Sequence, residues 1–190
     1  MTWVEIIGFI TGIIGVYLTM KENVWCFPIG LVNVILSLYL FYFQHLYADA
    51  LQQIVYIILL SYGWIKWWRG DQGSLHLKIS KSNPRLMYAC LFSGIVFTLL
   101  LGSLLHHFTN ASFPWIDSAA TSAAFIAQYL IARKKIENWL VWIGVNITYI
   151  GIYLYKDLHL YAILFFVYLV FSFWGFAAWR KQYEAHEASV

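Results

Sequence analysis

Apolar side chains make up 62% of the 190 residues and charged ones only 11%, with a mean hydropathy of +0.67. A water-soluble domain carries about 25% charged residues, so the composition excludes an ordinary soluble enzyme and places nearly all of the chain in a lipid bilayer. The formal net charge of +3 offers no footprint for nucleic acid, and its placement along the chain matters more than its total.

A bilayer core of ~30 Å needs about 20 apolar residues per helix, and seven stretches meet that length. Span one covers 3–20 and stops at Lys21-Glu22-Asn23. Its first apolar residues lack a basic start, so no cleavable leader is expected. Span two, 25–43, carries Asn33 near its middle and Ser37 one turn on along the same face. It ends at Gln44-His45. Span three, 47–68, has Asp49 at its start and Gln52 and Gln53 deeper. A polar loop from Gly70 to Pro84 precedes span four, 86–107. Span five, 114–132, opens at Pro114, where a missing N–H costs nothing. It holds Asp117 near its start, Thr121 and Ser122 midway, and Gln128 beyond them. Span six, 138–156, places Trp139, Trp142 and Asn146 at i, i+3 and i+7, on one helical face. Span seven, 158–179, contains no lysine, which excludes a retinal Schiff base there.

The charges set an orientation. Eleven of the twelve basic residues lie at the end reached by the close of span one, and Lys156 alone lies at the other. By the positive-inside rule the basic end is cytoplasmic, with the N-terminus outside and the C-terminus inside.

The chain also echoes itself. Trp25, Ile29-Gly30 and His45-Leu46-Tyr47-Ala48 recur as Trp139, Ile143-Gly144 and His159-Leu160-Tyr161-Ala162, each 114 residues on. A shorter echo, Tyr56, Gly63 and Trp67 with Tyr168, Gly175 and Trp179, runs at 112. Three spans per half is an odd number, so two halves of the same orientation need one extra crossing between them. The expectation is an all-α membrane protein of seven transmembrane helices in a 3+1+3 parallel-repeat bundle, the plan of the SWEET facilitators. It forms one domain over 1–190, with repeat one at 1–69, a linker helix at 86–107 and repeat two at 114–181.

That plan points to a carrier whose site lies between the halves. Uncharged amides and hydroxyls at depth suit a solute bearing hydroxyls and a carboxamide, while the plainer reading is that they bond neighbouring helices. The indoles of Trp139 and Trp142 with Asn146 below them make a stacking slot for a flat or cationic ring. Membrane-interface belts account for Trp25, Trp64, Trp67, Trp68 and Trp179 at the basic end and for Trp3 and Trp115 at the other. Few carboxylates or histidines lie at depth, which favours facilitated diffusion over ion coupling. No cofactor or metal is expected: Cys26 and Cys90 sit in apolar stretches, the histidines lack ligand spacing, and no phosphate-binding loop, HExxH or GxSxG occurs.

At these residues the chain resembles the PnuC family of bacterial vitamin transporters. The matching stretches are Trp25 to Gly30 with Asn33, Leu46-Tyr47-Ala48-Asp49 with Gln52, and Gly63-Trp64. They continue in Asp117, Thr121, Ala127-Gln128, Arg133-Lys134 to Glu137, and Trp139-x-x-Trp142 with Asn146. The resemblance implies facilitated uptake of nicotinamide riboside across the bacterial inner membrane, with trapping by a cytoplasmic kinase. Thiamine and riboflavin are the alternatives within the family, and a sugar facilitator is the alternative outside it. Residues expected to touch substrate are Asn33, Ser37, Gln52, Thr121, Gln128, Trp139, Trp142 and Asn146. A homotrimer is implied by related carriers.

Overall fold

Seven helices make up the computed structural model, which describes residues 3–43, 45, 47–70, 77–109 and 112–188. Gln44, Leu46 and loop residues 71–76 lie outside the described residues, as do the side chains of Glu5, Tyr47 and Ala48. The helices are α1 (Trp3–Met20), α2 (Cys26–Phe43), α3 (Tyr47–Arg69), α4 (Pro84–Phe108), α5 (Pro114–Ala132), α6 (Glu137–Tyr155) and α7 (His159–Glu187). Each expected span falls on one of them, and α7 runs on past the expected end at 179. Among the described residues, α2, α4 and α7 are long and apolar enough to cross a membrane, and Ile6–Met20 of α1 is a shorter apolar stretch.

Local chemistry sets the ends. Asn83 caps α4 by accepting a hydrogen bond from Leu86 N at 2.8 Å, and Pro84 follows at the first helical position. Gly70, with φ of 69°, closes α3 in the left-handed conformation that glycine adopts without strain. Among the described residues, four other than glycine also have positive φ: Glu22 (53°), His45 (59°), Lys134 (49°) and Asp157 (56°). Each sits in a turn between helices, in a conformation costing about 1–2 kcal/mol for a residue with a Cβ. They form two pairs, Glu22 with Lys134 and His45 with Asp157, each 112 residues apart.

Packing follows a closed ring. α1 packs on α2, α2 on α3, α3 on α5, α5 on α6, α6 on α7, and α7 back on α1. α4 packs on α5 alone and stands outside the ring. Its contact is close: Ser122 Oγ donates to Gly94 O at 3.0 Å, and the Trp115 ring lies directly over Gly102. Small residues make α5 the most enclosed helix, with Ala120, Ala124, Ala127 and Ala132 all buried where neighbouring helices approach. Elsewhere the surface is apolar, as on α4 at Tyr88, Leu91, Phe92, Ile95 and Leu99. A surface of that kind belongs against lipid rather than water.

The loop after α3 is tied down at the basic end. Leu77 and Ile79 are buried, and Ser80 forms an isolated parallel bridge with Lys135. Ser80 N donates to Lys134 O at 3.0 Å, and Ile136 N donates to Ser80 O at 3.1 Å. The Glu137 carboxylate accepts from Ser82 N at 3.0 Å and Ser82 Oγ at 2.9 Å. The linker thus holds the turn between α5 and α6.

Two sequence expectations need correction. Trp67 and Trp179, expected in the interfacial belt, are core residues at 6% and 0% exposure. Their rings cross the middle of the ring of helices instead of facing lipid. The 114-residue echo is also two residues out of register with the backbone. The positive-φ turns recur at 112, as do the starts of α3 and α7 and the ends of α2 and α6. Two residues are more than half a helical turn, so Trp25 is not the structural counterpart of Trp139. Phe27 is: it packs on Gly63 and Trp67 as Trp139 packs on Gly175 and Trp179.

Candidate functional site

The face of α6 that bears Trp139, Trp142 and Asn146 turns into the bundle. Trp139 is 1% exposed, its six-membered ring lying against Gly175 and meeting the Trp179 ring edge-on at 5.5 Å and 88°. Its Nε1 has no hydrogen-bond partner. Asn146, also 1% exposed, donates through Nδ2 to Ser172 Oγ at 3.1 Å, while its Oδ1 has no partner. Trp142 is half-buried against the same cluster. Leaving a buried polar atom unmatched costs about 1–3 kcal/mol. Trp139 and Asn146 therefore keep one unused donor and one unused acceptor on a single helical face, beside the equally unpaired Oδ1 of buried Asn138.

Ser172 and Tyr168, both on α7, extend this group. Ser172 Oγ donates to Tyr168 O at 2.8 Å, and the Tyr168 hydroxyl reaches α1 at Gly12. Asn33 comes to the same glycine from α2, its Nδ2 donating to Gly8 O at 2.5 Å and Thr11 Oγ1 at 3.1 Å. The two asparagines picked from sequence are thus linked around α1 and α7. The Asn33 amide ties α1 to α2, the interhelical role that the sequence left open beside substrate contact.

A second group lies where α3, α5 and α6 adjoin. Thr121 is buried, and its Oγ1 is 3.2 Å from the Tyr149 hydroxyl. Gln52 shares a hydrogen bond with Tyr56, whose ring meets Phe125 edge-on at 5.1 Å. Tyr149, Tyr153 and Tyr161 stack in succession, at 5.9 Å and 5.4 Å, toward the end of the bundle away from the basic residues. There Lys156 interacts electrostatically with both Asp49 and Asp117. Gln128 is buried deeper along α5, and Ser37 is half-buried on α2. Among the described residues no group of histidine, cysteine or acidic side chains is arranged to hold a metal ion.

Tyr149, Tyr168 and Ser172 were not singled out from sequence as site residues. A tyrosine or serine in an apolar span gives no signal by type. Tyr168 did stand in the 112-residue echo, which marks the true repeat register.

The family model described as "Nicotinamide mononucleotide transporter" matches residues 2–181. The nicotinamide riboside transporter PnuC of Escherichia coli (strain K12) is 24% identical, covering 94% of this chain and 85% of that protein. The riboflavin/roseoflavin transporter RibM of Streptomyces davaonensis is 26% identical, covering 93% and 84%. PnuC of Neisseria mucosa is 26% identical, covering 97% and 74%. A solved structure titled "Crystal structure of the Vitamin B3 transporter PnuC" has the same fold, with a TM-score of 0.78 at 23% identity over 97% of this chain and 83% of that one. A match over nearly the whole length, on a multi-pass helical fold, makes the chain a transporter rather than an enzyme: it belongs to the PnuC family of the nicotinamide mononucleotide transporter model.

Proposed function

We infer that the chain carries nicotinamide riboside across the bacterial inner membrane by facilitated diffusion, with the solute trapped inside by phosphorylation. The observation that carries this reading is the near full-length match to carriers named for nicotinamide riboside. The chemistry of the site supports it. Nicotinamide riboside offers a flat cationic ring, a carboxamide and ribose hydroxyls. The unpaired Trp139 Nε1 and Asn146 Oδ1 on α6, and the buried Thr121 and Gln128 on α5, are uncharged donors and acceptors of the matching kind. A mononucleotide would bring a phosphate, and the buried cation Lys134 is already paired with Glu22 at 2.8 Å. That favours the riboside over the nucleotide of the family model's description.

Helix adjacency supports the 3+1+3 parallel-repeat reading. Exchanging α1, α2, α3 for α5, α6, α7 maps the contacts of the ring onto one another and leaves α4 over. The basic end is cytoplasmic on this reading, so α1 begins outside.

RibM favours a second substrate, riboflavin, whose isoalloxazine ring would also lie on the indoles. Calorimetric titration of the purified protein with nicotinamide riboside, thiamine and riboflavin in parallel separates these. Tight binding of nicotinamide riboside alone is expected. Binding of riboflavin or thiamine in its place overturns the assignment.

A further inference from the structure

The basic end of the bundle is closed by a layer that no substrate contact explains. Glu22 lies in the turn after α1 and Lys134 in the turn after α5, 112 residues apart and both with positive φ. Their side chains meet as an ion pair at 2.8 Å, at 21% and 9% exposure. Lys134 Nζ also lies 4.5 Å from the centre of the Trp67 ring. Behind the pair, each tryptophan of a third helix bonds the last turn of the other segment's first helix. Trp67 Nε1 donates to Ile131 O at 3.1 Å, and Trp179 Nε1 donates to Met20 O at 3.3 Å. The two indoles lie 6.2 Å apart, and each is met edge-on by a further ring, Phe27 at 4.9 Å and Trp139 at 5.5 Å. Four buried rings therefore run in a row from α2 through α3 and α7 to α6.

The ion pair, the lysine over the Trp67 ring, both indole–carbonyl bonds and the Trp67–Trp179 contact all join the α1–α3 segment to the α5–α7 segment. A carrier that exposes its site alternately to the two sides must separate its halves at one end while they close at the other. We propose that this layer is the inner gate, and that the Glu22–Lys134 pair is the latch that holds it shut. Inward opening requires three steps together: the ion pair parts, both indole–carbonyl bonds break, and Trp67 draws away from Trp179. The latch also bears on the site, because Trp139 is both the end of the ring row and a wall of the proposed substrate slot. The linker residue Ser80, bonded to Lys134 O, holds the turn on which the lysine swings. This assignment rests on the alternating-access carrier reading but not on which vitamin is carried.

Cys26, the first residue of α2, is buried within this layer, 4% exposed and within the electrostatic reach of Lys134. It is a native reporter of gate opening. In a Cys90→Ala background, inside-out vesicles are treated with a membrane-impermeant maleimide, and the rate of Cys26 labelling is measured without substrate. Glu22→Gln and Lys134→Gln should each raise that rate about tenfold, the scale expected when one partner of a shielded pair is removed. The reversed pair Glu22→Lys with Lys134→Glu should return it to the parental value. Unchanged labelling in both single variants overturns the latch. So does equally fast labelling in the reversed pair, since that would report a loosened fold rather than a lost ion pair. Because no vitamin is present, a wrong substrate assignment cannot produce either result.

Discussion

Gly175 and Gly144 lie on adjacent helices and should answer the same substitution in opposite ways. A Cβ on Gly175 would stand 2.6 Å from Cε2, Cζ2 and Cη2 of Trp139. That contact is closer than carbon atoms tolerate, and it falls on a rigid ring with no flexible end to swing aside. The Trp139 ring is 1% exposed and held from another direction by Trp179, so relief requires α6 and α7 to move apart. Overpacking of this kind costs about 1–3 kcal/mol. A Cβ on Gly144 would meet nothing within 4 Å. There alanine should be neutral or stabilising by up to ~1 kcal/mol through helix propensity. Thermal unfolding of the purified proteins, followed by tryptophan fluorescence, reads both. Gly175→Ala should melt several degrees below the parent and, if the proposed slot is right, bind substrate more weakly, because the displaced indole is a wall of that proposed slot. Gly144→Ala should melt at or above it. Equal melting temperatures for the two variants would refute the packing described for Trp139.

Other substitutions test other parts of the account. Asn146→Leu should weaken binding about 5- to 30-fold, the range for losing one net hydrogen bond and a little more, with only a small change in melting temperature. Asn33→Leu should act mainly on stability, since its amide bonds Gly8 and Thr11 of α1. A loss of about 0.6–2 kcal/mol is expected by thermal unfolding. Trp142→Ala should reduce affinity for aromatic vitamins by about 0.5–1.5 kcal/mol through lost stacking, measured by calorimetric titration. An unchanged affinity would move the slot off this face of α6. Trp67→Phe keeps a ring beside Phe27 but removes the donor to Ile131 O. It should lower stability by about 0.5–1.5 kcal/mol.

Much of this was readable in the sequence because a bilayer leaves few options. Backbone groups in lipid must be satisfied within a helix, so apolar runs punctuated by Lys21-Glu22-Asn23 or Pro114 mark helices whose ends, the far end of α7 at Glu187 apart, the structure moves by a residue or two. Side-chain environment was harder to read. Trp67 and Trp179 look like belt residues because a tryptophan near the end of a span usually is one. Only the folded ring of helices shows that both point across it toward each other. The identical tetrapeptide at 45–48 and 159–162 drew attention to the wrong register, since residue identity over a few positions is a weaker mark of equivalence than backbone conformation. The turns at Glu22 and Lys134 share a left-handed φ with unlike, oppositely charged side chains. No comparison of residue letters would have paired them. The unpaired Trp139 Nε1 and Asn146 Oδ1 were likewise invisible, because hydrogen-bond satisfaction depends on what α7 brings to α6.

The most direct test is uptake of labelled nicotinamide riboside into proteoliposomes of the purified protein, with no ion gradient and no kinase inside. Facilitated diffusion predicts entry that saturates with concentration, stops when inside and outside are equal, and is unaffected by imposing or collapsing a proton or sodium gradient. Accumulation above the outside concentration on imposing a gradient would contradict the facilitator mechanism, and no entry by folded protein would contradict the substrate.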